Sequence, residues 1–319
     1  MRNVLMPASL EELWLAVEES PRASVCAGGT DLLVRVRSGL VNPDSMICLE
    51  RIPDLRGIRD EGETIRIGAC TTHTALLSDS AVGAHLPVLT QAVRVLGSPL
   101  IRNMGTLGGN ICTASPAGDT LPPLCVLKGS VELLSRDGAR TLAIEDFIAG
   151  PGKTRLKQGE ILASVRVPKP RPSMLHHFEK VGLRNALACS VVSLAALIGV
   201  SPEGTVEEVE LAWGSVGPTI VRCPEAQALL QGKPLDIETL REAAAVVQRT
   251  VSPISDVRAG ADYRRMLAGN LLLRLALFGK PESALNLERI GSRLGACRDD
   301  VCEFEPFILL PNAKESWNG

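Results

Sequence analysis

Apolar positions along the chain change spacing several times, and each change marks an element. Residues 3–6 form a short apolar strand. Leu10, Leu13, Trp14 and Val17 recur at helical spacing behind Ser9-Leu10-Glu11-Glu12, an S-x-x-E capping box. A helix is therefore predicted over about 10–19, with Pro21 as its stop. Residues 23–27 read as a small apolar strand ending in Gly28-Gly29, 32–37 as a helix ended by Gly39, and 45–49 as the next strand. Together they make a β-α-β unit closed by Pro53. A strand follows at 64–69, a short helix at 71–77, and an amphipathic helix at 86–96 with Leu86, Leu89, Val93 and Leu96 on one face. Residues 131–135 and 139–142 read as a hairpin around Arg136-Asp137-Gly138, and 160–167 as a strand.

The cluster P-K-P-R-P at 168–172 is the expected domain boundary. After it, 175–181, 189–200 and 206–214 read as strands, and 224–230, 237–251 and 262–278 as helices. The predicted fold class is α+β. Its first domain is 1–170 (parts 1–55 and 56–170), and its second, smaller α+β domain is 171–283. The tail, 284–319, is weakly periodic and is expected to be partly disordered or draped on the surface.

Two stretches do not fit a simple core pattern. One is Ala27-Gly28-Gly29-Thr30-Asp31, between a strand and a helix. The other runs from Ile101 to Asp119, with Gly105, Gly108 and Gly109 beside Thr106, Asn110, Thr113 and Ser115 and almost no charge before Asp119. Glycines permit positive φ and close approach, and short hydroxyl and amide side chains add neutral hydrogen bonds. Exposed backbone N–H groups with no side chain in the way suit a phosphate. An ordinary glycine turn is the competing reading.

Composition narrows the choice. Hydrophobic residues make up 45% and charged residues 22% of 319, as in a globular protein with a sizeable core. A formal net charge of −2 argues against nucleic-acid or anionic-membrane binding. No apolar run has the length of a membrane span, and the N-terminus lacks the apolar stretch of a signal peptide, so a cytoplasmic location is expected. The nine cysteines include no C-x-x-C, and neither a zinc site nor an iron–sulfur cluster is predicted in this chain. His176-His177 reads as exposed strand rather than a metal site, and His73 as a packing or capping residue.

The two glycine stretches occur in a fixed order with further motifs: I-G-A-C-T-T-H at 67–73, R-N-M-G-T-L-G-G-N-I-C-T-A-S-P-A-G-D at 102–119, G-P-G-K at 150–153, G-E-I-L at 159–162 and K-V-G-L-R at 180–184. In this order the chain, from about 7 to about 278, resembles the medium, FAD-binding subunit of the molybdenum hydroxylases, the group of xanthine dehydrogenase and carbon monoxide dehydrogenase. The resemblance implies a two-part FAD-binding domain of the vanillyl-alcohol-oxidase (PCMH) type over about 1–170.

It also implies site residues. Val25, Cys26, Ala27, Gly28, Gly29, Thr30, Asp31 and Leu32, with Thr106, Leu107, Gly108, Gly109 and Asn110, would cradle the FAD diphosphate. Both stretches are expected to do so through backbone N–H groups. Asp31, as a carboxylate beside phosphate, is expected to cap the helix that follows it. Ile101 belongs to the cofactor stretch, and Leu96 would lie near the adenine end. Thr113, Ser115 and Asp119 would continue toward the ribityl chain and ring, Leu162 would pack on the ring, and Lys180 would place a cation beside it. Without the resemblance, Asp119 reads equally as a helix cap and Lys180 as a solvated strand residue. Arg184 would serve the ring or an anionic acceptor; where xanthine dehydrogenases carry acidic residues soon afterwards, this chain has Leu187 and Ala188.

The implied function is electron transfer through FAD, from a 2Fe–2S small subunit to NAD or another acceptor. A molybdopterin-binding large subunit would oxidise the substrate. The alternatives are a stand-alone FAD-dependent oxidase of the same fold and a non-catalytic flavin-binding assembly subunit.

Overall fold

The computed structural model describes residues 3–184 and 186–278. The expectations for the tail lie outside the described residues. The chain begins with strand β1 (Asn3–Leu5), helix α1 (Leu10–Glu19), β2 (Ser24–Cys26), α2 (Leu32–Arg37) and β3 (Ser45–Cys48). The three strands are parallel in the order β1-β3-β2, with Cys26 opposite Cys48. Ser9 caps α1 by accepting from the Glu12 N–H at 3.2 Å, and Glu12 reaches back to the Ala8 N–H at 2.7 Å. Leu13 of α1 is fully buried against Ile47, Ile52 and Leu55.

The second part contains β4 (Ile58–Asp60), β5 (Thr64–Gly68), α3 (His73–Ser78), α4 (Ser80–His85), α5 (Pro87–Arg94), α6 (Pro99–Met104), α7 (Leu107–Thr113) and α8 (Leu121–Val126). Then come β6 (Ser130–Ser135), β7 (Gly138–Ala143), α9 (Ile144–Phe147), β8 (Ile148–Gly150), β9 (Lys153–Thr154) and β10 (Ile161–Pro168). Five of the strands form an antiparallel sheet ordered β4-β5-β10-β6-β7. A register shift between Leu162 and Ser164 lets β10 serve two cores. Ile161 and Ala163 pack on the N-terminal unit, whereas Leu162, Val165 and Val167 join the core beneath the helices.

The glycine stretch, read as a loop, is largely helical: it holds most of α6 and all of α7. Ser98 caps α6 by accepting from the Ile101 N–H, and Thr106 caps α7 by accepting from the Gly109 N–H. The Thr106 cap offsets the poor helix propensity of Gly108 and Gly109. The helix expected over 86–96 is shorter, starting at Pro87 and ending at Arg94.

The last part is a meander of β11 (Leu175–Gly182), β12 (Ser190–Val200) and β13 (Val206–Gly214), covered by α10 (Pro224–Leu230), α11 (Ile237–Thr250) and α12 (Ala261–Leu273). The helix expected to run to 278 tightens into a 3₁₀ turn from Arg274. Strand β12 is buried on both faces. Ala195 and Leu197 join the core of the second part, while Val192, Leu194, Ala196 and Ile198 pack under α10–α12. The proline cluster thus falls between β10 and β11, but the hydrophobic core continues across it. No helix among the described residues is long and apolar enough to cross a membrane.

Candidate cofactor site

The first glycine loop leaves β2 at Cys26 and turns through Gly29, whose φ of 69° favours glycine. Among the described residues, no acceptor takes a hydrogen bond from the backbone N–H groups of Gly28, Gly29, Thr30, Asp31 or Leu32. A row of unpaired donors of this kind suits an anionic oxygen cluster. Asp31 does stand at the N-cap position of α2, but its side chain makes no cap bond, contrary to the expectation. Its backbone is already helical (φ −103°, ψ −53°), whereas a capping side chain needs an extended residue. The carboxylate instead lies 3.8 Å from Arg35, one turn on.

The second stretch works differently from the expectation. The Leu107 N–H donates to the Thr71 carbonyl (3.0 Å), that of Gly108 to Ala69 (2.8 Å) and that of Gly109 to the Thr106 hydroxyl (3.1 Å). These amides anchor α7 to the end of β5 and are not free for a phosphate. Leu107 is fully buried, and a Cβ on Gly108 would come within 2.6–2.9 Å of Ala69. Both residues hold the loop from behind.

Between the two stretches lies a cleft of about 320 Å³. Of the expected residues, Val25, Cys26, Ala27, Gly28, Gly29, Thr30, Asp31, Leu32, Leu96, Ile101, Thr106, Gly109, Asn110 and Thr113 line it. Leu107, Gly108, Ser115, Asp119, Leu162 and Lys180 do not. Arg35, His73, Gly105 and Cys112 line it as well and were not anticipated as site residues. Arg35 could have been found from its i+4 spacing to Asp31, and Cys112 from its i+3 spacing to Gly109. The cleft is nearly neutral apart from Arg35 and Asp31. Burial pushes the Cys26 thiol up to about 11, with Cys48 adding to the shift, so it stays protonated. Burial, then the field of Arg102, lowers His73 to about 4, so its imidazole is neutral. His73 is 2% exposed and its Nδ1 has no hydrogen-bond partner.

Beyond Thr113 the chain turns through Ala114 in the left-handed region (φ 47°), and the Ser115 hydroxyl accepts from the Ala117 N–H at 3.2 Å. Asp119 follows, and it is not a helix cap. α8 starts after Thr120 and has no side-chain cap bond. Asp119 Oδ2 lies 2.6 Å from Lys180 Nζ, and both side chains are 8% exposed. Lys180 is therefore a buried ion-pair partner and not a solvated strand residue. It also donates to the Val95 carbonyl at 3.3 Å. Asp119 Oδ1 is buried without a partner. Burial pushes the Asp119 carboxyl up to about 6 against the opposing pull of Lys180. Two links join the pair to the cleft. The Thr120 hydroxyl donates to Asn110 Oδ1 at 2.6 Å, and Val95 precedes the cleft residue Leu96.

Leu162 sits in the core on β10, 4% exposed. Arg184 is exposed and donates to the Leu187 carbonyl at 2.7 Å. His176 and His177 are half-buried rather than exposed. His176 Nδ1 accepts from the Val88 N–H, and His177 packs on Phe278 with ring centroids 5.3 Å apart. Among the described residues no group of three or more His, Cys, Asp or Glu could hold a metal ion.

Comparison with known proteins places the chain in a family. Residues 1–170 match the family model of the FAD binding domain in molybdopterin dehydrogenase, and 177–277 that of the CO dehydrogenase flavoprotein C-terminal domain. The xanthine dehydrogenase FAD-binding subunit of Escherichia coli O157:H7 is 33% identical over 81% of this chain and 88% of its own length. The solved carbon monoxide dehydrogenase from Hydrogenophaga pseudoflava contains a chain 31% identical, with a TM-score of 0.82, covering 88% of this chain and 98% of that one. In the quinoline 2-oxidoreductase of Pseudomonas putida 86 the corresponding figures are 27%, 0.83, 88% and 96%. The unpaired amides, the neutral glycine-lined cleft and the unpartnered Asp119 oxygen fit a large, partly anionic cofactor. The chain belongs to the FAD-binding medium subunits of the molybdenum hydroxylase family, and it is an oxidoreductase flavoprotein whose cofactor is FAD.

Proposed function

We propose that this chain is the electron-transfer subunit of a heteromeric, cytoplasmic molybdenum hydroxylase. It receives electrons from a 2Fe–2S small subunit and passes them to NAD or another acceptor, while a molybdopterin-binding large subunit oxidises the substrate. The observation that carries this reading is the row of unpaired amides at 28–32 beside a cleft whose residues Asn110 and Leu96 connect, through Thr120 and Val95, to a buried Lys180–Asp119 pair outside it. Bound FAD supplies the two-electron redox chemistry.

The chain's own residues bind, orient and tune. The amides of Gly28, Gly29, Thr30, Asp31 and Leu32 hold the diphosphate, and Arg35 adds a positive charge to the same cleft. Gly109 leaves room beside them: a Cβ there would meet only the Thr106 hydroxyl within 4 Å. Lys180 and Asp119 set the potential at the ring end, since a nearby cation favours the reduced, negatively charged flavin. The relatives' names support the assembly, being those of subunits or medium chains of larger dehydrogenases.

The test is purification of the chain with its partner subunits. A flavin spectrum at one FAD per chain, reduced when the large subunit is given its substrate, is the expected result. NADH bleaching of the flavin would identify the acceptor. A flavin that neither the partner subunits nor NADH can reduce overturns the electron-transfer reading. Oxidation of a substrate by the chain alone would favour the stand-alone oxidase.

A further inference from the structure

The Lys180–Asp119 pair has more capacity than a fixed positive charge would need. We propose that Asp119 is a positioning residue that couples proton uptake to reduction of the bound FAD, surrendering its ion pair with Lys180 when negative charge arrives nearby. The inference rests on the placement of the flavin ring end beside this pair made above.

The argument is one of charge. With Lys180 protonated and Asp119 ionised the pair is neutral, and both side chains are almost wholly removed from water. The charged group whose field acts on Asp119 is Lys180 of β11. Helices α7 and α8 and strand β12 contain no charged residue. The turn after α5 offers the Val95 carbonyl, and Arg102 on the same surface is bound to the carbonyls of Arg94, Leu96 and Gly97. On β11, Glu179 is paired with Arg274 and His177, and His176 is bound by the Val88 N–H. On β13, Glu210 is held by Arg222 and Lys128.

Two electrons and one proton reduce FAD to an anion. That negative charge, in a dry region of low dielectric, acts strongly on its neighbours. An ammonium has no lone pair for a further proton, so the group of the pair able to accept one is the Asp119 carboxylate. Its Oδ1 has no partner within the chain, so a proton placed there displaces no hydrogen bond of the protein. The electrons come from the iron–sulfur subunit and both protons from solvent, giving two protons per electron pair. Lys180 is then left as an unneutralised cation that offsets the flavin anion. Burial already favours the neutral form of the Asp119 carboxyl against the pull of Lys180, and an added negative field acts in the same direction.

The experiment uses the assembled complex. The flavin midpoint potential is titrated from pH 6.5 to 8.5 in the native protein and in Asp119→Asn. Each proton that accompanies the electron pair contributes about 30 mV per pH unit. The slope in Asp119→Asn is expected to be half the native slope, and Asp119→Glu to restore it. Reduced-minus-oxidised infrared spectra should show a protonated-carboxyl band in the native protein that is missing in Asp119→Asn. Equal slopes in native and Asn proteins overturn the proposal; so does absence of the band in the native protein, which needs no variant. Either result with FAD bound and reducible leaves the electron-transfer reading intact. Loss of reduction by the partner subunits in the native complex would instead remove that reading.

Discussion

Gly28 packs on the carbonyl of Met104 so closely that a Cβ at position 28 would lie 1.7 Å from the Met104 oxygen. The contact closes the seam between the first glycine loop and the end of α6, and both sides of it are backbone. Gly28→Ala is therefore expected to spread the seam and displace the amides at 28–32. FAD content should fall by at least tenfold, with stability lowered by about 1–3 kcal/mol, the range for overpacking. Flavin content by absorbance and a urea unfolding curve check both effects.

Gly109 and Gly108 stand side by side but should fail differently. A Cβ on Gly108 meets three atoms of Ala69 within 2.9 Å, so Gly108→Ala should destabilise the chain with or without FAD. A Cβ on Gly109 meets only the Thr106 hydroxyl, at 2.9 Å. Gly109→Val is expected to fold and to lose FAD, because the added methyl groups enter the cleft. Circular dichroism alongside flavin content separates the two outcomes. A Gly109→Val protein with its full complement of FAD would sink the assignment of this cleft.

Removing Lys180 should act through Asp119. In Lys180→Ala the buried carboxylate loses its counter-ion and takes up a proton instead. FAD should be retained, and the midpoint potential at pH 7 should fall by about 30 mV or more, since about 1.4 kcal/mol corresponds to that shift for a two-electron couple. An unchanged potential would place Lys180 away from the ring.

Acid should weaken the fold before it protonates most carboxylates. Burial holds His73 and His176 down to about 4, with Arg102 adding to the shift at His73. As pH falls from about 6.5 toward 4, the unfolded chain takes up protons on these histidines that the folded chain refuses. Their stabilisation is present above pH 6.5 and is lost as pH falls through the folded values. The expected loss is about 3 kcal/mol per histidine between pH 7 and 4, offset in part by Asp119, whose raised folded value makes the folded chain take up that proton first, measured on the FAD-free protein by urea unfolding. His73→Leu should flatten that profile; an equally steep one would mean that His73 titrates normally.

Local chemistry determined much of this protein. The Ser9 capping box, the turn at Gly28-Gly29, the hairpin at Arg136-Asp137-Gly138 and the three long strands after the proline cluster were legible because each depends on residues a few positions apart. The residue types of the two glycine stretches suited a phosphate for the same reason, and FAD followed from the resemblance carried by their order with the other motifs.

What the sequence could not decide were the relationships between distant segments. The amides of Leu107 and Gly108 are bound by carbonyls nearly forty positions earlier, so a stretch that reads as a free loop is an anchored helix. Asp31 fails as a cap because its own backbone is helical, and Arg35 and Cys112 enter the cleft through helix geometry. Without the resemblance Asp119 read equally as a helix cap and Lys180 as a solvated strand residue, and the resemblance set each near the flavin without pairing them, 61 positions apart. Only tertiary packing brings them within 2.6 Å and removes both from water, because burial and ion pairing depend on which surfaces meet.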